Sequence, residues 1–163
     1  MKAWYFSTED RRLQYGDGRK IKPGITHKIK WPWTDETGTI WNGPSVCNAG
    51  LHGAQRIINA LAYAHSPVVW RVELSGKVEI GSDKIAASER KYLWGYDATK
   101  ILRRFARKCA LDVIHLWDAP KVVVEYLKTG NENLRAAARD AAWGAILEKF
   151  NRRLTQMIVK GRP

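Results

Sequence analysis

The chain has 163 residues, 45% of them hydrophobic, and carries 28 Lys and Arg against 16 Asp and Glu, a net charge of +12. This length suits one domain, or a domain with a helical extension, and the apolar content supports a packed core rather than disorder. No apolar run is long enough to span a membrane and the opening MKAWYFSTEDRRLQ lacks a signal-peptide core, so a cytoplasmic protein with no membrane partner is expected.

KAWYFS, at the amino terminus, has the aromatic, half-alternating composition of a strand. The stretch YGDGRKIKPGITHKIKWPWTDETGTIWNGPSV is crowded with Gly, Pro, Asn and Asp and reads as turns with short strands. Its glycines lack the strand-to-helix setting and the GK[ST] ending of a phosphate-binding loop. Trp31, Trp33 and Trp41 lie near Lys28 and Lys30 and are expected to close over a small β core. Residues 53–65 place Ala54, Ile57, Ile58, Leu61 and Ala64 at helical spacing, with Ile57, Ile58 and Leu61 facing the following strand. VVWRVELSGKVEI then predicts two short strands around a Ser-Gly turn, and Trp94 and Trp117 are expected in the core.

From Asp97 the pattern becomes helical. Asp97 caps a helix with Ile101, Leu102, Phe105, Ala106 and Cys109 on one stripe. A second helix starts at Asp118 and Pro120 and stops at Gly130. The alanine-rich tail sets Leu134, Ala138, Ala141, Ala145, Phe150, Leu154 and Met157 on a broad apolar face. The expected fold is α+β: a small antiparallel sheet with one helix in a β-rich region over 1–96, and a helical region over 97–163 packed with it as one domain.

The excess positive charge favours anionic partners, nucleic acid foremost. Lys100, Arg103, Arg104, Arg107 and Lys108 occupy the positions that the first helical stripe leaves free, so long donors recur at helical spacing, as phosphate contact requires. Arg152 and Arg153, beside Lys149, form a second cluster. His52 falls at the foot of the 53–65 helix, where free N–H groups attract anions, and is a candidate for a ligand pocket. The four histidines are scattered and Cys47 and Cys109 are far apart, so no metal site is expected, and both cysteines read as reduced, buried thiols.

The stretches Gly50-Leu51-His52, Ala60 to Ala64, Val72 to Gly76, HLWDAP and YLKTGNENLRAAARDAAW resemble a family of small phage and prophage proteins over roughly residues 47–158. That resemblance implies a mobile-element origin and carries no catalytic residue with it. The turn, helix and strand around residues 47–78 are also similar in shape to the middle of the ADP-ribosyltransferase fold. The second resemblance implies NAD as a cofactor and Tyr63 as a residue stacking on its nicotinamide ring. Three readings therefore stand. The first is a non-enzymatic, phage-type nucleic-acid-binding protein without cofactor. The second is an NAD-using enzyme, and the third is a phage protein that binds a host protein and inhibits or scaffolds it.

Overall fold

A computed structural model describes residues 1–14 and 17–160 of the chain. Tyr15 and Gly16, which open the turn-rich stretch, lie outside the described residues. The described elements are β1 (Lys2–Phe6), β2 (Thr26–Lys28), β3 (Trp33–Thr34), β4 (Ile40–Trp41), β5 (Leu51–Gly53), α1 (Ile57–Leu61), β6 (Val68–Ile80), β7 (Ile85–Asp97), α2 (Thr99–Asp112), α3 (Lys121–Thr129) and α4 (Arg135–Lys160). The architecture is α+β, and the chain divides into two compact units, Met1–Thr99 and Lys100–Pro163.

The amino-terminal unit is built on the long hairpin of β6 and β7, with β1 antiparallel to β6, and β2 and β5 antiparallel to β7. Its core gathers Ala3, Leu51, Trp70, Val72, Leu74, Ile85, Ala87 and Tyr92 with Leu13 and Ile21 from the loop after β1. Trp70 is fully buried and donates its indole N–H to Ser7 Oγ at 3.0 Å. β3 and β4 form a separate two-stranded ribbon, with Trp33 paired to Trp41.

Three local expectations change here, each because a non-local pairing wins. The helix foreseen over 53–65 is confined to five residues. Upstream of it, Ala54 exchanges backbone hydrogen bonds with Trp4 at 2.8 and 2.9 Å, which keeps 51–54 extended. Gly53 suits that approach, since a Cβ there would lie 3.1 Å from the Ala3 Cβ and 3.2 Å from the Trp4 carbonyl. Ala60 is buried, whereas Ile57 and Ile58 are exposed rather than packed on β6. Ser75 and Gly76 form no turn. Gly76 takes φ +75 at a bulge between Ser75 and Val78, the strand runs on to Ile80, and the reversal comes where Gly81 N–H bonds the Lys84 carbonyl at 2.9 Å.

The third change concerns Trp94. Arg71 pairs with Trp94 but Val72 pairs with Tyr92, so Leu93 is the extra residue of a second bulge. That bulge reverses the inward–outward phase of β7: Tyr92 is fully buried and Trp94 is 46% exposed, not in the core. Trp33 is exposed as well, while Trp31 and Trp41 are half-buried and bond Ser88 and Asp35 through their indole N–H groups.

At the end of the amino-terminal unit, Asp97 Oδ1 accepts the Thr99 N–H at 2.8 Å and caps α2. α3 starts after Pro120 and ends at Gly130, whose φ of +69 lets its N–H close on the Tyr126 carbonyl. Val123 and Ala138 are the buried residues where α3 meets α4. The apolar stripe of α2 is not buried as its spacing suggested, because Ile101, Phe105 and Cys109 are all exposed. Cys47 is exposed too, so neither thiol is the buried apolar group expected. On α4, every described residue from Ile146 to Ile158 is exposed, including Phe150, Leu154 and Met157.

Candidate nucleic-acid interface

α2 turns its five cations in two directions. Lys100, Arg104 and Lys108, at successive intervals of four, form one exposed line along the helix. None of them enters an ion pair with a described residue, and all three side chains are exposed to solvent. Arg103 and Arg107 belong to the adjacent line, which faces α3. Arg103 pairs with Glu132 at 3.4 Å, and Glu132 also holds Arg135 at 3.7 Å. These two arginines, with Tyr126, Leu127 and Arg135, line a small open groove of about 250 Å³.

Arg107 is held more firmly than an exposed helix cation. Its guanidinium lies 6.0 Å from the Tyr126 ring centroid and directly against Gly130, where a Cβ would fall 1.2 Å from Nη1. Its Nε is buried without a partner among the described residues. Gly130 therefore serves twice, as the left-handed cap of α3 and as the floor under Arg107. Gly130→Ala should cost about 1–2 kcal/mol for the left-handed backbone alone. It should also expel the guanidinium. Chemical denaturation would measure the first effect, and a shift of the Arg107 side-chain NMR resonances the second.

On α4, Arg152 approaches Glu148 at 3.8 Å, whereas Arg153 and Lys149 are exposed outside any ion pair with described residues. Residues 100–163 contain fourteen Lys and Arg against six Asp and Glu, so +8 of the net +12 resides in this unit.

His52 lies elsewhere than at a helix end. It sits in β5, five positions before α1 begins, and its Nε2 accepts the backbone N–H of Cys47 at 3.2 Å. That bond supports Cys47 at a left-handed φ of +74 in the tight Ser45–Ala49 turn. Burial, then the charges of Arg90 and Lys84, lower the His52 pKa and favour the neutral ring that this acceptor role needs. Tyr63 follows α1, donates its hydroxyl to Asp83 and carries the Lys84 ammonium 4.0 Å from its ring centroid. Lys84 thus lies against Tyr63, and its charge also acts on His52. No group of three His, Cys, Asp or Glu among the described residues could hold a metal ion.

Strand pairing also assembles a surface that spacing alone did not reveal. Trp4, Arg71 and Trp94 are direct neighbours across β1, β6 and β7. The Trp4 and Trp94 rings meet edge to face at 5.7 Å, and the Arg71 guanidinium lies 4.6 Å from the centre of the Trp4 ring. Tyr96 continues the surface, its ring within 16° of parallel to Trp94 at 6.2 Å. The sequence signal was present in KAWYFS, VVWRV and KYLWGYD, but it needed the register and the Leu93 bulge to become one face.

A family model described as a domain of unknown function, DUF7666, matches residues 18–104, more than half of the chain. The chain belongs to this family. The DUF7666 match includes β2 to β7 and the start of α2, taking in Lys100, Arg103 and Arg104. It contains the stretches at Gly50–His52, Ala60–Ala64 and Val72–Gly76, whereas HLWDAP and YLKTGNENLRAAARDAAW lie beyond it. No curated protein and no solved structure matches the chain. No described helix is long and apolar enough to cross a membrane.

Proposed function

We propose that this DUF7666 protein binds nucleic acid without catalysis, through phosphate contacts made by its helical unit. The observation that carries the reading is the exposed line of Lys100, Arg104 and Lys108, three long donors along one helix that enter no ion pair with a described residue. Arg153 and Lys149 add donors of the same kind, and the excess of +8 in residues 100–163 supplies long-range attraction to a polyanion. Arg103 and Arg107 act at one remove in this reading: their interactions with Glu132, Tyr126 and Gly130 brace α2 against α3. A phage-type origin, inferred from the resembling stretches, is compatible with such a protein.

Reversing all three residues, Lys100→Glu, Arg104→Glu and Lys108→Glu, is the direct test. Each phosphate that the variant no longer neutralises should reduce the steepness of log K against log salt on duplex DNA by about 0.9, hence by about 2–3 for the triple variant. Unrelated sequences should bind more weakly alike, because interactions with the sugar-phosphate backbone carry no base information. The fold should persist, since all three side chains are exposed. A folded triple variant with an unchanged salt slope would refute the reading.

A further inference from the structure

The sheet face formed by Trp4, Arg71, Trp94 and Tyr96 lies outside the machinery just described. Trp94 and Tyr96 are 46% and 44% exposed, although large aromatic rings on a small sheet ordinarily supply its core. Among the described residues the rings they meet are each other and Trp4, and nearly half of each side chain remains open to water. The outward neighbours are ionic. Lys2, Glu73 and Lys91 form the next cross-strand row, so that Lys2, Arg71 and Lys91 outweigh the one carboxylate of Glu73.

We infer that this face binds single-stranded nucleic acid by stacking unpaired bases on Trp94 and Tyr96, with Arg71, Lys2 and Lys91 meeting the backbone. The inference deepens the nucleic-acid reading and rests on it for the class of polymer. Its own ground is the open aromatic face. Stacking on a ring is available to every base once it is unpaired, and a duplex withholds those faces inside its own stack. The surrounding cations favour a polyanion over an apolar protein surface. The near-parallel tilt of Trp94 and Tyr96 offers two adjacent rings to successive bases along β7.

The test compares a labelled oligothymidylate with a mixed-sequence duplex of equal length, by fluorescence anisotropy. The protein should prefer the single strand, and Trp94→Leu with Tyr96→Leu should remove that preference, each stacked base being worth roughly tenfold in affinity. Trp94→Phe with Tyr96→Phe keeps the rings and should retain it. Should the leucine pair fail to fold, ultraviolet cross-linking of oligothymidylate to the unaltered protein decides: the adduct should map to the peptide holding Trp94 and Tyr96. Equal affinity for both polymers, a preference that survives the leucine pair, or an adduct confined to other peptides would each overturn the inference while leaving the phosphate reading standing. The converse is separable, because the triple charge reversal on α2 should weaken duplex and single strand together. Absence of binding to either polymer would sink both.

Discussion

Gly95→Ala is expected to destabilise the amino-terminal unit by up to about 3 kcal/mol, the upper end of what overpacking a core usually costs. Gly95 lies opposite Trp70 in the β6–β7 register, and the indole packs against it. A Cβ at 95 would fall 2.3 Å from Trp70 Cδ2 and 2.7 Å from the Val69 carbonyl oxygen. The ring has nowhere to retreat: it is fully buried, tied to Ser7 by its N–H, and packed edge-on to Tyr92 at 5.6 Å. Backbone φ is not the issue here, as Gly95 lacks the positive φ that marks Gly50 or Gly76. Urea unfolding followed by tryptophan fluorescence gives the value. Gly144→Ala is the contrasting measurement, because a Cβ at 144 meets nothing within 4 Å and α4 should gain about 0.5–1 kcal/mol in helix propensity. Equal effects at the two glycines would contradict the packing described for Trp70.

The contrast between these glycines shows where sequence reasoning reaches its limit. Features that a few adjacent residues determine were legible: the Asp97 cap, the Pro120 start and Gly130 stop of α3, the strand in KAWYFS and the turn-rich stretch after it. The fold class followed from these. Features that depend on a distant partner were not. GLHGA reads as a helix entry until Trp4 pairs with Ala54 and draws it into the sheet. Trp94 reads as core until the bulge at Leu93 turns it outward. On α2 the pattern of cations and apolar residues was visible, but not which line of the helix faced α3. Helical periodicity separates faces without ranking them, and the open space over Gly130, 23 residues away from Arg107, decided which cation was taken inward.

The largest effect is expected at Arg90. It is 3% exposed on β7, and no described carboxylate pairs with it. Its charge rests instead on the Tyr5 ring, 3.7 Å from the centroid, on a 2.8 Å bond from Nε to the Tyr92 hydroxyl, and on a bond from Nη1 to the His52 carbonyl. The Tyr92 hydroxyl, held as the neutral phenol with its pKa pushed up to about 12 by burial, in turn meets Nδ1 of His27 at 3.3 Å. One guanidinium thus ties β7 to β5, and through Tyr92 to β2. Arg90→Lys keeps a buried charge but loses the planar fork, so it should cost about 3–5 kcal/mol, as other uncompensated buried charges do. Arg90→Met removes the charge but leaves two neutral acceptors short of a donor, at about 1–3 kcal/mol for each. The apparently conservative change should therefore be as damaging as the apolar one. Acid titration supplies an independent check. Burial, then Arg19 and Arg90, lower the His27 pKa from 6.5, so the folded state favours the neutral ring. Its contribution is complete above pH 6.5 and is lost as pH falls from there toward the folded-state pKa, with a slope of at most about 1.4 kcal/mol per pH unit. Removing the Arg90 charge narrows the gap between the two pKa values, while burial and Arg19 still lower the folded one, so Arg90→Met should lose less stability between pH 7.5 and pH 5 than the unaltered protein does. An acid dependence identical in the two proteins, or a lysine variant as stable as the unaltered protein, would show that Arg90 does not hold this network.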